Sequence, residues 1–79
     1  MKFKVYSKED CPYCYKVKKI LELTGSEFLV YNLGEDFTKE DFYNQFGEGS
    51  TFPQVLCDDQ SIGGSVGTIQ FLKEKQIVR

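Results

Sequence analysis

Between Tyr6 and Val17 the chain changes its hydrophobic period, and a pair of cysteines stands at the change. Lys2 to Tyr6 reads as a strand, with Phe3 and Val5 on one face and Tyr6 closing the run. Ser7 to Asp10 is a short polar loop. From Pro12 the period is helical: Cys14, Val17, Ile20, Leu21 and Thr24 fall on one face, with Lys16, Lys18, Lys19 and Glu22 mostly opposite. Pro12 suits the first helical turn, where its missing N–H costs nothing. Gly25 suits the C-terminal stop. A second apolar run follows at once. Strand, helix and strand in that order constrain the chain to a βαβ unit with two parallel strands and a right-handed crossover.

The second strand is expected over Glu27 to Leu33. Its Phe28-Leu29-Val30-Tyr31 run is nearly continuous, which suits a strand covered on both faces. Thr38 with Asp41 three residues on resembles a capping box, so a second helix is expected over Thr38 to Phe46 with Phe42 and Phe46 inward. Gly47 to Ser50 is a loop. Gln54 to Cys57 and Gln60 to Gly63 read as a hairpin turned by Asp58-Asp59. Ser65 is expected to cap a last helix with Val66, Ile69 and Leu72 on one face. The order is βαβαββα, an α/β arrangement without repeats, linkers or low-complexity segments. One domain over residues 1–79 is expected.

Composition excludes several function classes. The chain is 41% hydrophobic and 28% charged, which is globular rather than disordered. No apolar run approaches the roughly 18 residues of a membrane span. Charges interrupt the first apolar stretch and no cleavage-type segment follows, so a signal peptide is not expected. The net charge is -2 and the lysines of the first helix read as a solvated face, so no nucleic-acid partner is expected. Histidine is absent, which removes Cys–His and Ser–His nucleophile pairs and imidazole metal ligands together.

The cysteines then carry the chemistry. Three of them, Cys11, Cys14 and Cys57, favour a reduced intracellular protein with a reactive pair over a disulfide scaffold. Cys11 and Cys14 as half of a zinc site would need four ligands, and only Cys57 remains. Inert core thiols would suit Cys14 but not Cys11, which precedes the helix. A helix N-terminus presents unpaired N–H groups and partial positive charge. A thiol there can ionise near neutral pH instead of near roughly 8.5. Cys11 is therefore the expected attacking thiolate and Cys14, further inside, the resolving thiol. Cys57 reads as a small buried apolar residue. On residues alone Lys8 is a surface lysine or a partner of the thiolate, and Tyr13 is core or groove wall. Pro53 is a plain strand start or a functional turn, and Gly63-Gly64 is a hairpin exit or an anion site.

The chain resembles the glutaredoxins. The resemblance rests on Cys11-Pro12-Tyr13-Cys14, on Lys8 three residues before it, on Thr51-Phe52-Pro53 before the third strand, and on Gly63-Gly64 before the last helix. These elements follow the family's order at nearly its spacing, and the match covers roughly Lys2 to Lys75. It implies a thioredoxin fold: a four-stranded mixed sheet flanked by three helices. It implies a cytoplasmic, monomeric, glutathione-dependent thiol–disulfide oxidoreductase with no tightly bound cofactor and no metal. Such a protein reduces protein disulfides and glutathione mixed disulfides, with ribonucleotide reductase among the candidate substrates. It implies a cis peptide between Phe52 and Pro53, so that the Phe52 backbone can pair with a bound peptide thiol. The implied glutathione site comprises Lys8, Tyr13, Thr51, Phe52, Pro53, Gly64, Ser65 and Val66. Gln45 or Lys39 would meet the far carboxylate.

The chain departs from the family at one end of that site. The family continues after its two glycines with one residue and an aspartate pair; here Val66 and Gly67 stand in their place. The backbone N–H groups of Ser65 and Val66 remain for a carboxylate, but no side-chain carboxylate meets the γ-glutamyl amine. Two alternatives follow. One is an electron donor recharged by thioredoxin reductase. The other is a module holding an iron–sulfur cluster between two subunits through Cys11 and glutathione, which the rigid Pro12 disfavours.

Overall fold

The structure, a computed structural model, describes residues 2–75. β1 (Lys2–Ser7) runs through the middle of a four-stranded sheet of order β2-β1-β3-β4. It pairs in parallel with β2 (Glu27–Asn32), from Lys2 opposite Glu27 to Ser7 opposite Asn32. It pairs antiparallel with β3 (Gln54–Cys57), which continues into β4 (Gln60–Gly63). Asp58 and Asp59 take positive φ, 50° and 70°, which gives the hairpin turn a twist matching its strands. Asp58 also accepts a hydrogen bond from the Lys2 N–H, and Asp59 pairs with Lys4 Nζ at 2.7 Å. That contact pushes the Lys4 ammonium up and the Asp59 carboxyl down from their ordinary values, through the hydrogen bond first and the charge second. Both groups are solvated, so the pair adds little stability.

The pleat of β1 sorts its side chains onto two layers. Phe3 and Val5 point to one face and are buried with Val17 and Leu21 of α1 (Pro12–Leu23) and Leu72 of α3 (Ser65–Glu74). Each such side chain contributes on the order of 1.5–3 kcal/mol by leaving water. Tyr6 points the other way and meets Phe46 of α2 (Lys39–Phe46) at 5.0 Å between ring centroids. Thr38 caps α2 through a reciprocal box with Asp41, as its spacing predicts.

Three expectations change. β2 is covered on one face and only in part on the other: Phe28 and Val30 pack on the core, while Leu29 is 44% exposed and Tyr31 meets Tyr6 at 5.2 Å between ring centroids. Among the described residues it is also an edge strand, paired with β1. An apolar run looks the same in either setting. Ser65 is the first helical residue of α3, and the cap is Gly64, with no side-chain hydrogen bond. The inward face of α3 is therefore Thr68 and Leu72, with Phe71 beside them. Val66 is 75% exposed and lines a shallow hollow of about 240 Å³ with Ile69, Gln70 and Lys73.

The start of α3 is set by glycines. A Cβ on Gly64 would lie 3.1 Å from the Pro53 carbonyl oxygen, and one on Gly67 would collide with the Ile62 carbonyl oxygen. The helix therefore begins flush against both β4 and the turn that leads into β3.

Candidate active site

The β1–α1 loop brings the first cysteine to the end of the sheet. Asp10 sits at φ 55°, a left-handed turn that an aspartate tolerates better than most side chains. That turn delivers Cys11 to the N-cap of α1, in extended conformation at φ -115° and ψ 100°. Its Sγ accepts a hydrogen bond from the Cys14 N–H at 3.2 Å, and its carbonyl accepts from the Tyr15 N–H at 3.1 Å. Sulfur replaces the hydroxyl or carboxylate oxygen usually found at this place. Any negative charge on it faces the positive end of α1.

Cys14 lies one turn on and is joined to Cys11 in a disulfide, with Cα atoms 5.2 Å apart. The two sulfurs are not equivalent. Cys11 is half-buried and Cys14 is only 1% exposed, turned into the core with Val17 and Leu21. The third cysteine, Cys57, is buried in β3 and free, and burial pushes its thiol up from the ordinary value.

One flank of this centre is aromatic. The Phe52–Pro53 peptide is cis, as the resemblance implies, and Pro53 is buried. The Phe52 ring stacks on Phe42 at 4.1 Å and 17°, and lies 6.2 Å from Phe37 at 28°. Lys8 Nζ stands 5.4 Å above the Phe52 ring, within cation–π range. Lys8 thus ties the cysteine loop to Phe52, and Gly64 closes against Pro53 from the start of α3. Four of the expected site residues are brought together in this way. Ser65 and Val66 follow Gly64 in the first turn of α3, where N–H groups lack helical partners. Tyr13 is 61% exposed, and Thr51 is exposed with its carbonyl accepting from Gln54 Nε2 at 2.9 Å. Lys39 and Gln45 are both exposed on α2.

A model of the glutaredoxin family matches residues 3–62. The chain belongs to the glutaredoxin family. Glutaredoxin 1 of Rickettsia prowazekii is 33% identical over 76 residues, which cover 92% of this chain and 79% of that protein. The structure of reduced Escherichia coli glutaredoxin superposes with a TM-score of 0.84 at 26% identity, covering 99% of this chain and all of that one. Buckwheat glutaredoxin in complex with glutathione shares the fold, with a TM-score of 0.79 at 23% identity over 95% of this chain and 71% of its own. Glutaredoxins are thiol–disulfide oxidoreductases that use glutathione, and this glutaredoxin carries the Cys11–Cys14 dithiol of that chemistry.

Sequence reasoning missed the other flank of Cys11. A cleft of about 580 Å³ opens there between the loop Lys8 to Asp10, Cys11, Pro12, Tyr15, Lys18 and Asn32. Cys11, Tyr15 and Lys18 are spaced i, i+4 and i+7, so they share a face of α1. That spacing was readable. Asn32 was not: it joins the cleft because the parallel register sets it opposite Ser7.

Proposed function

We propose that Cys11 attacks the substrate disulfide and Cys14 resolves it, beside a glutathione site formed by Lys8, Tyr13, Thr51, Phe52, Pro53, Gly64, Ser65 and Val66. The observation that carries this reading is the inequality of the two sulfurs, one half-buried at the helix start and one 1% exposed. The Cys11 thiolate attacks one sulfur of the substrate disulfide; the other sulfur leaves as a thiolate and takes a proton. Cys14 then attacks Cys11 Sγ, the second substrate thiolate leaves, and the Cys11–Cys14 disulfide holds the oxidation. Two glutathione molecules reverse this, leaving the protein reduced and glutathione disulfide as product. With a glutathionylated substrate Cys11 takes the glutathione directly, the reduced substrate leaves, and a second glutathione restores the thiol.

The site is proposed to act in the cytoplasm, in a monomer of one domain, without a tightly bound cofactor or metal. Protein disulfides, that of ribonucleotide reductase among them, are the proposed macromolecular substrates. Two variants test the division of roles. Cys11→Ser should lose all exchange. Cys14→Ser should keep turnover of glutathione mixed disulfides and lose reduction of protein disulfides. Loss of both in Cys14→Ser would overturn the assignment.

One observation favours a second reading, recharging by thioredoxin reductase. The first turn of α3 carries no acidic residue, and Gly67 is packed so closely on Ile62 that a side-chain carboxylate does not fit there. Recognition of the γ-glutamyl end then rests on backbone N–H groups. A coupled NADPH assay with each reductase system decides: turnover with glutathione and glutathione reductase supports the first reading, and turnover with thioredoxin reductase alone supports the second.

A further inference from the structure

We propose that the cleft between α1 and the ends of β1 and β2 is a second substrate subsite, which holds the polypeptide flanking the cysteine of a protein disulfide. The proposal rests on the assignment of Cys11 as the attacking sulfur. Cys11 forms part of the cleft wall, so a chain bonded to its sulfur can lie in it. Apart from Lys8, none of the residues assigned to glutathione lines it. The Lys8 ammonium itself stands 5.4 Å from the centre of the Phe52 ring, which is not part of the cleft lining.

Its position and chemistry suit a peptide. The cleft lies outside the carboxyl ends of the parallel strands β1 and β2, where open α/β sheets bind their ligands. Its volume of about 580 Å³ lies within the usual ligand-site range of roughly 300–1,000 Å³. Tyr15, 66% exposed, and Pro12 supply apolar surface. Lys18 on one side and Glu9 and Asp10 on the other supply separated opposite charges. The ion pair recorded among the described residues is Lys4–Asp59, which leaves these three charges open to a partner. Mixed apolar and charged surface along one open channel matches an extended polypeptide with side chains of both kinds. A protein substrate continues beyond the single residue that glutathione carries on either side of its cysteine, so it needs surface outside the glutathione site.

The test uses Cys14→Ser protein loaded in two ways. Glutathione, or a ten-residue peptide with a central cysteine, is first activated as its disulfide with thionitrobenzoate. The Cys11 thiolate attacks the ligand sulfur, the new S–S bond forms and thionitrobenzoate leaves. Backbone amide shifts are then compared by NMR. The peptide adduct should move Lys18 and Asn32, and the glutathione adduct should leave both in place. Absence of these shifts in the peptide adduct, or equal shifts in both adducts, would overturn the proposal. A glutathione adduct that leaves Phe52 and Gly64 to Val66 unmoved would instead overturn the assigned glutathione site, so the two failures are distinguishable. In the full protein, Tyr15→Ala with Lys18→Glu should raise KM for a protein disulfide about tenfold. The same variant should leave turnover of a small glutathione mixed disulfide unchanged; equal loss on both substrates would contradict the proposal.

Discussion

On one side of Cys11, Phe52 stacks on Phe42 at 4.1 Å and carries Lys8 above its ring. On the other, exposed Tyr15 and half-buried Lys18 line an open cleft of about 580 Å³. The first flank has its shape set from behind, because Phe42 is buried under Phe37, Phe46 and Phe52. Close-packed aromatic rings resist rearrangement, so this flank presents one fixed surface to one small ligand. The second flank has no such stack: exposed Tyr15 and the long Lys18 side chain can adjust to what lies against them. A single reactive sulfur thus stands between a wall that selects and a wall that accommodates.

Substitutions can break this contrast. Phe42→Ala should cost about 3–5 kcal/mol, measured by denaturant unfolding, because it empties the stack beneath Phe52. Lys18→Glu on the open flank should stay within about 0.5 kcal/mol. Similar costs for the two would mean that the flanks do not differ in packing. Next in size is Gly67→Ala, whose Cβ meets the Ile62 carbonyl oxygen. It should cost about 1–3 kcal/mol and lower Tm by roughly 4–8 °C per kcal/mol.

A smaller effect sharpens the comparison electrostatically. Lys8→Gln removes a cation from beside Cys11 and should slow alkylation of Cys11 at neutral pH up to about fivefold at low salt, less as salt screens the pair. No change at low salt would detach Lys8 from the thiolate. Cys57, away from both flanks, serves as the reference thiol. Burial raises its value, so the folded protein holds its proton where the unfolded chain would lose it. Its contribution to stability is full below the ordinary thiol range of roughly 8.5, and declines as pH rises from there toward the folded value. Alkylation of folded Cys57 at neutral pH should accordingly be the slowest of the three.

Local features of the fold were legible in the residues themselves. The change of period at Pro12, the Thr38–Asp41 box and the Asp58-Asp59 turn each lie within a few positions and appear where expected. Features set by distant contacts were not. Whether Phe28 to Tyr31 is covered on both faces depends on what packs above and below the sheet at that strand, and Leu29 is left 44% exposed. The phase of α3, and with it the exposure of Val66, depends on how closely Gly64 approaches Pro53 and Gly67 approaches Ile62. In the site, the cysteine pair announced its chemistry through spacing and helix position alone. Phe37 and Phe42 behind Phe52, and Asn32 across from Ser7, depend on packing and register that no local pattern encodes.

The inequality of Cys11 and Cys14 is the point on which the mechanism turns. Reduced protein can be alkylated with iodoacetamide across a pH series, with each cysteine quantified by peptide mass spectrometry. Cys11 should react first, with a rate that rises at lower pH than that of Cys14 and of Cys57. Cys14 reacting first, or all three cysteines rising together near the ordinary thiol range, would contradict the account.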